Sequence, residues 1–161
     1  MHGLMIELCF DFISPYSYLA FTQAKALGIR VGKEIELKPV LLAGILNALG
    51  TKGPAEVPAR RAYLMKDFLR AAHRADVTFA LPPTHPFNPL PALRVAALDL
   101  DAAMRWRIVE ALFVATWGNG AGIEGADRVA VVLRDAGIDP ADLVEQWAHL
   151  EASATRRKSS G

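Results

Sequence analysis

The segment Ile6-Glu7-Leu8-Cys9-Phe10-Asp11-Phe12 alternates apolar and polar positions and runs directly into Ser14-Pro15. Alternation at period two predicts a strand with one face in the core. Serine followed by proline predicts a helix start, because Ser caps free amides and the missing N–H of Pro costs nothing at the first helical position. Tyr18, Leu19, Phe21, Thr22, Ala26 and Leu27 continue at helical spacing, and Gly28 supplies an expected stop. A second alternation, Glu34 to Lys38, ends at Pro39. Strand, helix and strand in that order predict a parallel, right-handed crossover. Ligands gather at the carboxyl ends of such strands, which here is the turn carrying Ser14.

Beyond Pro58 the pattern is helical. Ala59 to Asp76 places Ala62, Met65, Phe68, Leu69 and Ala72 on one stripe, away from Arg60, Arg61, Lys66 and Arg74. After the proline-rich loop Leu81 to Pro91, helices are expected near Ala92–Leu100, Ala102–Trp117, Gly125–Ala136 and Pro140–Glu151. Trp106, Phe113 and Trp117 fall at helical spacing and read as core, with the wall of an aromatic pocket as the other use. Gly118-Asn119-Gly120-Ala121-Gly122 follows a helical stretch and lacks the Lys-Ser/Thr of a phosphate loop, so it reads as a helix-ending loop. Cys9 reads as a small buried strand residue. His2, His73, His85 and His149 have no metal-ligand spacing, and each reads as a surface or capping residue.

Composition removes several functions. One cysteine in 161 residues makes neither an internal disulfide nor a multi-thiolate metal site, which points to a reducing cytoplasm. Of the 18 basic residues, Arg156, Arg157 and Lys158 lie at the very end, leaving 15 against 17 acidic ones, so no nucleic-acid-binding face is expected. The longest run free of charged side chains, Val77 to Leu93, holds five prolines and cannot span a membrane.

Ser14-Pro15-Tyr16-Ser17 occupies the strand-to-helix turn where thioredoxin-type proteins carry Cys-x-x-Cys. A helix N-terminus there stabilises a thiolate through free N–H groups and its positive dipole. With serine at both cysteine positions, disulfide exchange at this motif is excluded. What survives is a hydroxyl in a niche suited to a sulfur brought by a ligand; the alternative is that Ser14 serves only as a cap.

Ile6 to Ala20, containing Phe10-Asp11-Phe12-Ile13-Ser14-Pro15-Tyr16-Ser17-Tyr18, resembles the opening of the 2-hydroxychromene-2-carboxylate isomerases, which sit with kappa-class glutathione transferases and DsbA-like thioredoxin folds. Pro39-Val40-Leu41-Leu42-Ala43-Gly44-Ile45, Gly50-Thr51-Lys52-Gly53-Pro54, Tyr63 to Phe68 and His85 to Leu90 continue the likeness in order. The resemblance implies a glutathione-dependent isomerase acting on a small aromatic carboxylate, with Ser14 as catalytic residue and glutathione contact. It implies Thr51, Lys52 and Arg60 as further glutathione-binding positions and Asn88 as a substrate-binding position. For Lys52, Arg60 and Asn88 an ordinary exposed role stays open. A kappa-like glutathione transferase, a non-catalytic remnant and a possible homodimer are the other expectations.

The likeness fades after Trp147. The family's Gly-Val-Pro-Thr type turn, further strands and last helix have no counterpart in Ala148 to Gly161. The expected fold is therefore α/β, a thioredoxin-like strand–helix–strand with a large all-helical insertion and the family's C-terminal strands missing. The expected layout is a thioredoxin-like half over 1–57, a helical insertion over 58–151 and a disordered basic tail over 152–161. On that reading the chain binds glutathione weakly or not at all, half of the site being absent.

Overall fold

The computed structural model describes residues 5–141 and 143. Strand β1 (Ile6–Phe10), helix α1 (Pro15–Val31) and strand β2 (Ile35–Pro39) come first, as the alternation and the Ser-Pro start predict. The strands pair in parallel, with Ile6 opposite Ile35 and Phe10 opposite Pro39. This register puts Ile6, Leu8, Phe10, Ile35 and Leu37 on one face, and Glu7, Cys9, Glu36 and Lys38 on the other. Lys38 Nζ bridges the two glutamates of the second face, 2.6 Å from Glu36 and 3.9 Å from Glu7. Cys9, expected inside, is exposed because it shares this charged face.

Gly28 does not stop α1. The helix runs another turn and ends at Gly32, whose φ of 64° is the left-handed conformation that favours glycine. Gly28 serves packing instead: a Cβ there would sit 2.8 Å from Lys33 O and 3.1 Å from Ile35 Cγ1, so its bare Cα lets the incoming strand approach.

Helix α2 (Leu42–Ala48) and a 3-10 turn (Pro54–Glu56) follow, neither of them predicted from pattern. Then come α3 (Pro58–Arg74), α4 (Leu90–Ala96), α5 (Ala102–Phe113), continued by a π-helical turn over Val114–Gly118, and α6 (Ala126–Asp135). The expected stripe of α3 narrows to Phe68 and Ala72, while Leu69 is 54% exposed. Gly118 to Gly122 ends the π-helical turn as a loop. Gly120, at φ 72°, lies so close to Leu81 O that a Cβ would stand 2.7 Å from it. The expected helix Pro140–Glu151 beyond its first residues, the tail 152–161, His2 and His149 lie outside the described residues.

One buried cluster draws Phe10, Phe12 and Leu37 from the first crossover and Ile108, Leu112, Phe113 and Leu133 from the later helices. At its centre Phe12 and Phe113 ring centroids lie 4.8 Å apart, with Phe10 5.5 Å and Phe21 5.3 Å from Phe113. An isolated parallel pair of strands is marginal in water, and this aromatic packing is what fixes it. Phe113 and Trp117 are core, as read; Trp106 packs on Phe21 with Lys25 over its ring.

Candidate functional site

Strand β1 ends at Phe10, yet Asp11 and Phe12 in the following turn are as buried as this last strand residue. Backbone groups in such a turn must find partners outside a ladder, and the turn itself, α1, the π-helical turn and the proline-rich loop supply them. Ser14 N–H donates to Asp11 O at 3.1 Å, and Asp11 N–H reaches Ser17 Oγ at 3.4 Å. Trp117 Nε1 donates to Phe12 O at 2.8 Å, and His85 Nε2 lies 3.0 Å from Ile13 O. The carbonyl only accepts, so Nε2 carries the imidazole proton. The Asp11 carboxylate takes Ile13 N–H on Oδ1 at 3.1 Å and Leu42 N–H on Oδ2 at 2.8 Å.

Ser14 is thereby held as the N-cap of α1, at φ −96° and ψ 113°. Its Oγ accepts Ser17 N–H at 3.2 Å, which leaves the hydroxyl proton available to a ligand. Pro15 has no N–H, and Tyr18 N–H is taken by Ser14 O at 3.3 Å. The Tyr16 N–H therefore remains as the open donor of the first turn.

The half-buried Ser14 faces a cavity of about 610 Å³ lined from the β1–α1 turn, α2, the 3-10 turn, α3 and the proline-rich loop. That volume lies within the range of small-molecule sites, and the wall is mostly Leu, Pro, Met and Phe. Asn88 lines it too, its Oδ1 accepting Leu90 N–H at 3.1 Å at the start of α4. Thr51, Lys52 and Arg60 are exposed and are not among its lining residues; on α3 it is the next residue, Arg61, that faces the cavity. Trp117 does not line it either, being held behind the turn by its bond to Phe12.

Asp11, Tyr16, Arg61 and His85 also line the cavity, with no site role expected of them from sequence. Burial pushes the Asp11 carboxyl above its usual range, outweighing the two amides that favour its charged form. The Tyr16 hydroxyl donates to Asp67 and is pushed up to about 12, by burial first and then by the bond and the charge of Asp67. His85, expected at the surface or as a cap, is half-buried, with its ring edge-on to Trp117 at 5.3 Å. Burial lowers its pKa, the bond to Ile13 partly restores it, and the Arg61 charge lowers it further. Asp11 had a local signal, since an aspartate two residues before an amide it can accept makes an Asx turn. His85 had none, its partner lying 72 positions away.

Comparison with known proteins agrees with this fold. The DSBA-like thioredoxin domain matches residues 5–159. A kappa 1 glutathione S-transferase of Caenorhabditis elegans is 28% identical over 150 residues, covering 88% of this chain and 66% of that protein. A 2-hydroxychromene-2-carboxylate isomerase of Sphingobium xenophagum is 30% identical over 142 residues, covering 87% of this chain and 72% of that protein. The solved structure of a 2-hydroxychromene-2-carboxylate isomerase superposes with a TM-score of 0.77 at 23% identity, over 98% of this chain and 76% of that one. The chain spans about two thirds of the length of the curated relatives it matches. Six α-helices and a small parallel sheet among the described residues, a cap serine at the strand-to-helix turn and these matches place the chain in the DSBA-like thioredoxin domain family, alongside proteins named 2-hydroxychromene-2-carboxylate isomerase and kappa glutathione S-transferase.

Proposed function

We propose that this chain carries the catalytic turn of a glutathione-dependent isomerase acting on 2-hydroxychromene-2-carboxylate or a related aromatic-degradation intermediate, in a reducing cytoplasm. One observation carries the reading: a serine hydroxyl with a free proton caps α1 at the mouth of a largely apolar cavity. The donor set suits a thiolate, because the Ser14 hydroxyl, the Tyr16 N–H and the helix dipole all favour negative charge at one point. Held there by the Ser14 hydroxyl and the Tyr16 N–H, glutathione would supply a sulfur nucleophile for reversible addition to the conjugated enone of the opened substrate.

The chain's own residues orient and polarise. Ser14 donates its hydroxyl proton to the sulfur as a hydrogen bond, without transferring it. Asp11, Trp117 and His85 hold the backbone on which Ser14 sits, so no reorganisation is needed when charge arrives. The Leu and Phe wall excludes water from the aromatic ring. Asn88 presents its amide to the same cavity as a substrate contact. Incubating the protein with glutathione and 2-hydroxychromene-2-carboxylate, and following the ultraviolet spectrum of ring opening, tests the reading. Turnover is expected with the wild type and about 100-fold less with Ser14→Ala; equal turnover in both would refute it.

The similarity to a kappa 1 glutathione S-transferase supports a second reading, conjugation of glutathione to an electrophile. A generic chloronitrobenzene substrate separates the two: conjugation without isomerisation selects the transferase.

A further inference from the structure

Arg61 is the single lysine or arginine among the residues lining the cavity. Its guanidinium donates from Nη2 to His85 O at 3.1 Å, which ties α3 to the loop that closes the cavity. One bond uses one of five N–H donors, so a paired edge remains for a planar anion. Two carboxylates also face the cavity, and both are committed elsewhere: Asp11 accepts Ile13 and Leu42 N–H, and Glu56 Oε1 accepts Gly53 N–H at 2.8 Å. Asp67, beside Tyr16, accepts the hydrogen bond of the phenol. Among the described residues none of these pairs with Arg61. His85 adds no competing positive charge near neutral pH, since burial favours its neutral form.

We infer that Arg61 anchors the carboxylate of an aromatic acid whose ring lies against Met65, Phe68 and Phe87. This deepens the proposed function and rests on its reading of the cavity as the place of an aromatic acid. A mostly apolar wall with one unneutralised, fork-shaped cation fits a flat ring bearing a single carboxylate. It fits glutathione less well, whose two carboxylates and two amide links need several polar partners. Arg61 thus sets specificity for an acid over a neutral aromatic of the same shape.

The test is calorimetric binding of 2-naphthoate and of its neutral amide to the full chain without glutathione, using wild type, Arg61→Lys and Arg61→Ala. The acid is expected to bind the wild type more tightly than the amide. Arg61→Ala is expected to weaken the acid about 10- to 100-fold and to leave the amide within about twofold. Arg61→Lys, which keeps the charge and loses the fork, falls between. Equal weakening of both ligands would assign Arg61 a merely structural role and overturn the inference. So would unchanged acid binding in Arg61→Ala or absence of acid binding by the wild type. Because neither glutathione nor turnover is needed, this result stands apart from success or failure of the isomerase assay.

Discussion

The Asp11 carboxylate caps a helix to which it does not belong: Oδ2 accepts the N–H of Leu42, the first residue of α2, at 2.8 Å across 31 positions of sequence. The same group accepts Ile13 N–H, so one side chain sets both the turn before Ser14 and the wall opposite it. In Asp11→Asn one acceptor becomes an NH2 aimed at a backbone N–H. A loss of about 1–3 kcal/mol in denaturant unfolding is expected.

That substitution also changes the pH profile. The folded pKa of Asp11 is raised above 3.8, so its contribution to stability is fully present below that value and is lost as pH rises through the folded pKa. Asp11→Asn should remove this fall from the stability curve. An Asp11-dependent gain in stability with rising pH over the same window would contradict the burial argument.

His85 runs the other way. Its folded pKa is lowered from 6.5, so its contribution is present above that value and is lost as pH falls through the folded one. Melting temperature followed from about pH 8 down to pH 5 should drop more in the wild type than in His85→Gln.

Trp117→Phe keeps a ring in the core and removes the N–H that satisfies Phe12 O. The orphaned carbonyl is fully buried, and a cost of about 1–3 kcal/mol is expected in denaturant titration.

Gly28→Ala sets two effects against each other. Alanine gains about 1 kcal/mol of helix propensity, whereas its Cβ would meet the Lys33 carbonyl at 2.8 Å, a backbone clash of about 1–3 kcal/mol. The clash should win, and the variant should melt below the wild type.

These residues also mark what could be read in the sequence. The β1–α1–β2 crossover was legible because its signals are local: alternation, a Ser-Pro start and a proline at the strand end. Helices α3, α5 and α6 followed from periodicity. Helix α2 was not, since Leu41 offers no capping side chain and the cap comes from Asp11. Ser14 was legible through the turn and the family likeness. His85 and Trp117 were not legible as parts of the site, because their partners, Ile13 and Phe12, lie 72 and 105 positions away. Arg61 was set aside with the solvent-facing charges of α3, and only the fold brings it to the cavity. Cys9 is small enough for a core, yet its place in the alternation puts it on the face of Glu7 and Lys38.

Ser14 and the start of α1 are proposed to hold a ligand sulfur as its thiolate. Ultraviolet difference spectroscopy of glutathione added to the protein at neutral pH, raised until the signal reaches a plateau, reads thiolate directly. The wild type should show thiolate absorbance that disappears in Ser14→Ala, a variant expected to lose only about 1 kcal/mol of stability with its cap. No thiolate signal with the wild type, or an undiminished one in folded Ser14→Ala, would contradict the account.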